Sequence, residues 1–315
     1  MIPRIPRKAF YFIFKILRAL ITAFAIVVLS FFMVRASGDP ARIYLGSEAT
    51  PEMIEHFNHK WGLDRSLPVQ FASYLSRLFQ GDLGDSLIKS RPAIEIILER
   101  VPATLSLMIP AALISIIGGI TLGMAASRNG GSHLDSGLML LSTIGYSLPN
   151  FFFGVVLIFF FSIILGSLPS SGNETWKHFL MPITTIAAAD IAVFTRFSRA
   201  AFNDIYEQGF ITSFRALGIA ERRILFLHAL PNASISLLTI SGFYVGSLIT
   251  GAIVTETIFS WPGLGSLLIS SLKARDFPLV QGLILIFGLS IVAVNLVIDM
   301  LYGIFDPRVR EGINA

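Results

Sequence analysis

The chain has 315 residues, 54% of them hydrophobic and only 14% charged, with 24 Lys and Arg against 20 Asp and Glu and a mean hydropathy of +0.72. A soluble domain carries roughly 25% charged residues, so this balance excludes disorder, a coiled coil and an ordinary soluble enzyme, and it directs the apolar surface into lipid. With no cysteine, disulfides, zinc fingers, iron–sulfur ligation and thiol nucleophiles are excluded together.

A helix crossing the hydrocarbon core needs about 20 apolar residues, and six stretches qualify. The first begins near Phe10 and is uncharged from Ala19 to residue 34; Lys15 and Arg18 precede it on stems long enough to reach the interface. Residues 1–8 followed by this run also have the form of a cleavable signal peptide, but the uncharged core is already long and no clear small-x-small site precedes Asp39. Residues 35–100 then form a long outer segment. Thr50-Pro51-Glu52 reads as an N-cap, a first-turn proline and an acidic first turn. Met53, Ile54, Phe57 and Trp61 make one apolar face, and Gly62 closes the helix. A second amphipathic stretch runs over 68–79, and a third, 92–100, leads into the second span at 101–127. His56 and His59 stand at i, i+3, a spacing that suits a metal as well as a solvated helix face, with no third ligand nearby.

The third span is expected at about 137–168, ended by Pro169-Ser170-Ser171-Gly172, and its six phenylalanines at 151–153 and 159–161 suit lipid contact and helix packing. The fourth is expected at 178–195, the fifth at 229–255 and the sixth at 277–298. Lysine and arginine are retained on the cytoplasmic side of short loops. Arg4, Arg7, Lys8, Lys15, Arg18, Arg128, Arg196, Arg199, Arg215, Arg222, Arg223, Arg308 and Arg310 all fall on one side, against Lys177, Lys273 and Arg275 in the short loops of the other. Both termini are therefore expected in the cytoplasm.

Between the fourth and fifth spans, residues 196–232 are too polar for the membrane and too patterned for a linker. Residues 203–214 are compatible with a helix, Gly218 breaks the pattern, and Ala220-Glu221-Arg222-Arg223-Ile224-Leu225 starts a second short helix before His228-Ala229-Leu230-Pro231-Asn232. Two short helices around a glycine make a compact knob; an amphipathic helix lying on the membrane surface is the other reading that physics alone permits.

The string from Gly209 to Gly218, with Glu221-Arg222-Arg223 and His228-Ala229-Leu230-Pro231-Asn232-Ala233, resembles the cytoplasmic EAA loop of binding-protein-dependent ABC importer permeases, specifically the first-subunit type of the dipeptide/oligopeptide/nickel family. Further strings occur in family order: Gly38-Asp39-Pro40-Ala41, Trp61-Gly62-Leu63-Asp64-Arg65, Gly81-Asp82-Leu83-Gly84-Asp85-Ser86, Arg100-Val101-Pro102-Ala103-Thr104-Leu105, Ser147-Leu148-Pro149-Asn150-Phe151, Glu256 to Gly265, Arg275 to Gly282, and Asp306-Pro307-Arg308. The resemblance implies an all-α membrane protein with the type I ABC importer permease fold. Residues 1–100 would form the first span and outer loop, 101–305 a permease core of five spans carrying the EAA loop at 196–232, and 306–315 a cytoplasmic tail. It implies a multi-pass protein of the bacterial inner membrane that imports a solute, peptide being the default. The implied partners are a second homologous permease, two ATPase subunits and a periplasmic or lipid-anchored binding protein, with no nucleic acid. Gly218, Ala216, Glu221, Arg222, Arg223, His228, Pro231 and Asn232 would form the ATPase-coupling surface. Thr212-Ser213-Phe214, where the motif has Glu-Ala-Ala, and Leu217, where lysine is common, depart from it.

A P-loop needs a glycine immediately before its Lys-Ser pair, and the nearest approach, Gly84 to Ser90, has Ile88 there. ATP and Mg²⁺ would therefore sit on partner subunits, this chain binding no cofactor or metal and being no enzyme. Ionisable residues within spans are functional candidates. Asp190 in the fourth span either lines the path or pairs with a basic residue. Asn295 and Asp299 share one face of the sixth span, where capping and interhelical hydrogen bonding compete with a path role. Glu256 with Pro262, Gly263 and Gly265 suggests an outer gate or a docking surface. A self-sufficient secondary transporter or channel would also explain the spans and Asp190, but such proteins show repeated halves, and neither a repeat nor a need for the knob is evident.

Overall fold

A computed structural model describes residues 7–36, 41, 45–46 and 49–305. Gly38-Asp39-Pro40, Asp306-Pro307-Arg308, Arg4, Arg310, residues 1–6 of the possible leader and the expected tail lie outside the described residues. Apart from one isolated bridge between Asp85 and Pro92, the regular structure of the described residues is helical.

Helix α1 spans Arg7–Ala36. In the outer segment, α2 (Pro51–Trp61) begins as its sequence dictates: the Thr50 hydroxyl accepts from the Met53 amide at 3.3 Å, Pro51 occupies the first turn, and Gly62 caps the end in the left-handed conformation. Helix α3 is Leu67–Phe79, and α4 runs unbroken over Ala93–Arg128, absorbing the third amphipathic stretch. Then come α5 (His133–Ser147) and α6 (Asn150–Leu157), the latter continued by a π-helical segment, Ile158–Ile164. Helix α7 is Lys177–Tyr206; α8 (Gly209–Ala216) and α9 (Glu221–Ile224) form the cytoplasmic loop; a π turn, Leu225–Ala229, leads into α10 (Leu230–Ile258). Helices α11 (Leu264–Lys273) and α12 (Phe277–Phe305) follow.

Four segments are long and apolar enough to cross a membrane unbroken: Phe12–Met33, Ala93–Arg128, Lys177–Tyr206 and Phe277–Met300. Two bent pairs pass the same test only when taken together, His133–Ser147 with Asn150–Ile164 at 98° and Glu221–Ser234 with Ser236–Gly242 at 48°, so the described residues hold up to six crossings if each pair is one span. The third span is thus not the single helix expected. Pro149 is the cause: it cannot donate to the preceding turn and drives Leu148 into the extended region (φ −85°, ψ 123°), ending α5. Of its phenylalanines, Phe151, Phe152, Phe159 and Phe160 are exposed, consistent with lipid contact.

The chain divides into two compact units, one of residues 1–17, 105–261 and 293–315, the other of 18–104 and 262–292. In the second unit Ala93, Ile96 and Ile97 of α4 pack with Leu264, Leu267, Leu279 and Leu283, and Phe31 packs with Tyr74 and Leu285. The Ser86 hydroxyl donates to the Asp276 carboxylate, whose other oxygen accepts from the Leu87 amide at 3.2 Å, so two buried polar groups satisfy each other. In the first unit, α4 and α7 approach so closely that there is no room for a side chain at two glycines. A Cβ on Gly119 would overlap Phe194, and one on Gly123 would lie 2.5 Å from both the Ser198 Cβ and the Thr195 carbonyl. This four-residue spacing of glycines lets helix backbones meet where lipid offers no hydrophobic drive for association.

Candidate functional site

The cytoplasmic loop is a pair of short helices about a tight turn. Helix α7 continues to Tyr206, further than expected, and Gln208 is extended (φ −74°, ψ 140°), so α8 is a separate element starting at Gly209. Its end is closed by two reversed hydrogen bonds, Gly218 N–H to the Arg215 carbonyl (3.0 Å) and Ile219 N–H to the Phe214 carbonyl (3.1 Å), with Gly218 at φ +72°. That is a Schellman closure, and the left-handed residue at its pivot is the glycine expected there. Ala220 then starts α9.

Side chains fix the knob from within. Ile211 and Ile224 are fully buried, and the Phe214 ring lies 4.3 Å from the His228 ring. The Arg215 guanidinium donates to Glu221 at 2.7 Å and stands over the Tyr206 ring at 5.6 Å. This bond holds the Glu221 carboxyl below the ordinary carboxylate range and raises Arg215 further. Phe202 of α7, with Leu225, Ala229, Ala233 and Leu237, forms a buried cluster that joins the loop to α10. Ala216, Gly218, Arg222, Arg223, Pro231 and Asn232 are exposed, while Glu221 and His228 are half-buried. Asn232 and His228 also serve the chain itself, since the Asn232 amide donates to the His228 carbonyl at 2.7 Å.

The structure adds residues that sequence reasoning passed over. Leu217, noted only as a departure from a motif, is the most prominent side chain of the tip, 75% exposed beside Gly218. Asp135 of α5 is buried and receives a bidentate pair of hydrogen bonds from Arg199 of α7 (2.6 and 2.7 Å), while the Gly131 amide donates to it at 3.0 Å. Ser127 donates to Asn203 at 2.6 Å, so the turn after α4 is also tied to α7. Nothing in the linear spacing marks Asp135 and Arg199 as partners, because they stand 64 positions apart.

The residues expected along the path fall in both compact units. Asp190 is half-buried in α7. Asp299 accepts from Lys15 at 2.7 Å, an interhelical ion pair, and Asn295 is exposed. The Glu256 side chain is fully buried, which removes it from an outer docking surface. Gly263 caps α11, Gly265 is buried in its first turn, and the Pro262 carbonyl accepts from Arg100 at 3.2 Å, so this motif starts a helix. Among the described residues no group of three His, Cys, Asp or Glu side chains could hold a metal ion, so His56 and His59 gain no third ligand.

Residues 116–311 match the family described as "Binding-protein-dependent transport system inner membrane component", and residues 9–108 match the N-terminal family of the same transport components. The chain belongs to this permease family. It is accordingly an inner-membrane permease component of an ABC importer and not itself an enzyme, working with ATPase and solute-binding subunits. Membership decides against a self-sufficient secondary transporter. Among relatives of the permease, the glutathione transport system permease protein GsiC of Pectobacterium atrosepticum is 39% identical over 303 residues, covering 95% of this chain and 98% of its own. GsiC of Escherichia coli K12 is 38% identical over 301 residues, with the same coverage. Chains of the MetNI methionine ABC transporter in inward-facing conformations share the fold, with TM-scores of 0.54 and 0.52 at 18% and 17% identity, covering 66% and 69% of this chain and 95% of theirs.

Proposed function

We propose that this permease forms the translocation path together with a second, homologous permease subunit, and that the path carries peptide-like solutes delivered by a binding protein. ATP and Mg²⁺ are held by two ATPase subunits, and the loop 196–232 is their point of attachment. The observation that carries this reading is the knob: a glycine-pivoted tip presenting Leu217 between exposed Ala216 and Gly218, with Arg222 and Arg223 alongside, braced by the Arg215–Glu221 pair and by the cluster around Phe202. A rigid apolar tip with a basic flank suits insertion into a groove of a soluble motor, and the bracing lets a push on the tip move α7 and α10 together. The GsiC relatives are named for glutathione, itself a tripeptide, which supports the peptide-like class. In this reading Asp190 belongs to the path, with Gly218, Glu221, Arg222 and Arg223 at the motor contact.

The test is ATP-dependent uptake in proteoliposomes containing the whole complex. Leu217→Asp places a charge at the apolar tip and should reduce uptake at least tenfold while the protein still reaches the membrane. Normal uptake in that variant would remove the coupling assignment.

A further inference from the structure

We propose that the open cleft between the end of α4 and the cytoplasmic knob seats a phospholipid headgroup that carries both a phosphate and a primary amine, as in phosphatidylethanolamine. The inference goes beyond the solute reading and holds whatever the permease carries. The cleft has a volume of about 440 Å³ and lies wholly within the first compact unit. Arg128 lines it from the last turn of α4, where a cation also suits the carbonyl end of the helix. Asn203 and Tyr206 line it from the last turn of α7, and Glu207 caps that helix just before the extended Gln208 turns the chain into the knob. Arg215 and Glu221 close the knob side. The segments Ala93–Arg128 and Lys177–Tyr206, each apolar and long enough to cross the membrane, both end here, which sets the cleft at the level of the cytoplasmic headgroups.

Some of these groups serve one another. The Ser127 hydroxyl donates to the Asn203 amide oxygen at 2.6 Å, and Arg215 donates to both oxygens of Glu221, at 2.7 and 3.4 Å. Others are open. Among the described residues neither the Arg128 nor the Glu207 side chain enters an ion pair or a hydrogen bond, and the Asn203 NH2 group and the Tyr206 hydroxyl have no hydrogen-bond partner. The cleft thus holds a free guanidinium, a free carboxylate and two free donors, and its two open charges of opposite sign do not meet across it. A phosphodiester suits the guanidinium, whose planar fork holds two phosphate oxygens at once, and the amide and the phenol add donors of their own. A phosphate alone would leave Glu207 as an uncompensated repulsion. An ammonium on the same headgroup removes that repulsion and donates to the carboxylate, whereas a choline headgroup has the charge without an N–H and a glycerol headgroup has neither. Basic pockets between spans on the cytoplasmic side take lipid headgroups in general. Here Arg215, standing over the Tyr206 ring, would join an occupied cleft to the brace of the coupling loop.

The experiment uses the complete complex, purified in detergent and equilibrated with equal amounts of dioleoyl-phosphatidylethanolamine, dioleoyl-phosphatidylcholine and dioleoyl-phosphatidylglycerol. Native mass spectrometry counts the lipid that each complex retains. The wild type should retain phosphatidylethanolamine in preference to both others. Arg128→Gln should lower its retention about tenfold. Glu207→Gln should abolish the preference over phosphatidylglycerol while phosphatidylglycerol itself stays bound, and Tyr206→Phe should lower retention of phosphatidylethanolamine a few-fold. Arg128 and Glu207 are exposed, and the lipid ratio is read within one sample, so the yield of a variant does not enter. Equal retention of the three lipids by the wild type, or the same ratio in both charge variants as in the wild type, would overturn the proposal. Retention only by permease stripped of its ATPase would overturn it as well, by showing that the motor fills the cleft. So would displacement of the retained lipid by an equal concentration of soluble glycerophosphoethanolamine, by showing a free solute to be the ligand.

Discussion

Gly218 takes φ +72° in open space, with nothing within 4 Å of where a Cβ would stand, so conformation rather than crowding demands the glycine. The left-handed region costs a side chain about 1–2 kcal/mol, least for Asn and Asp and most for β-branched residues. Gly218→Val should therefore reduce uptake further than Gly218→Asn at equal membrane levels. A Val variant as active as wild type would show that the turn has no part in coupling. Glu221 gives a pH test of the same knob. Its folded pKa is lowered by Arg215, so the stabilisation is present above the ordinary carboxylate range and is lost as pH falls through the folded value. Both partners are nearly half exposed, and such pairs contribute at most about 1 kcal/mol. Uptake by Glu221→Gln should match wild type within a few-fold at neutral pH and lose its difference from wild type in acid. The buried acid is a larger matter. Arg199→Ala strands the Asp135 carboxylate, and a drop of about 3 kcal/mol is expected, read as a lowered unfolding temperature in detergent that Asp135→Asn, Arg199→Ala together partly recovers.

At the scale of elements, the contact of α4 with α7 is the least forgiving. Gly123→Val would press a branched side chain onto the Thr195 carbonyl and the Arg199 amide, which are backbone and cannot turn aside. Loss of folded protein is expected, measured as monodisperse material after extraction, whereas Gly137→Val, with open space around it, should be tolerated. The helices themselves were legible where local chemistry decides them. Thr50, Pro51 and Gly62 announced α2, and Gly218 announced the turn between α8 and α9. The break at Leu148–Pro149 was masked because the apolar run continues through it, and composition carries no direction. The partner of Asp299 was not legible for a related reason, Lys15 lying 284 positions away in the chain.

For the whole molecule, the charge deficit and its placement were enough to expect six crossings and a cytoplasmic knob, because lipid imposes a length and a charge rule on every span. What joins the spans was not legible. The Asp135–Arg199 pair, the Gly119 and Gly123 contact and the Tyr244–Ser115 bond all depend on which helices become neighbours, and the hydrophobic pattern of a span that faces lipid on one side and helices on the other hardly distinguishes them. Assembly is the property to test at this scale. Mild-detergent purification should bring down a second permease and an ATPase, and Leu217→Asp should release the ATPase while retaining the permease.

The 98° bend bears on how the protein is made. Its two limbs are 15 residues each, His133–Ser147 and Asn150–Ile164, so at 1.5 Å per residue each extends only about 22 Å and falls short of a bilayer core about 30 Å thick. Neither limb alone is long enough to be retained by the insertion machinery as a finished crossing. Where the two limbs form one span, that crossing is complete only after both have left the ribosome.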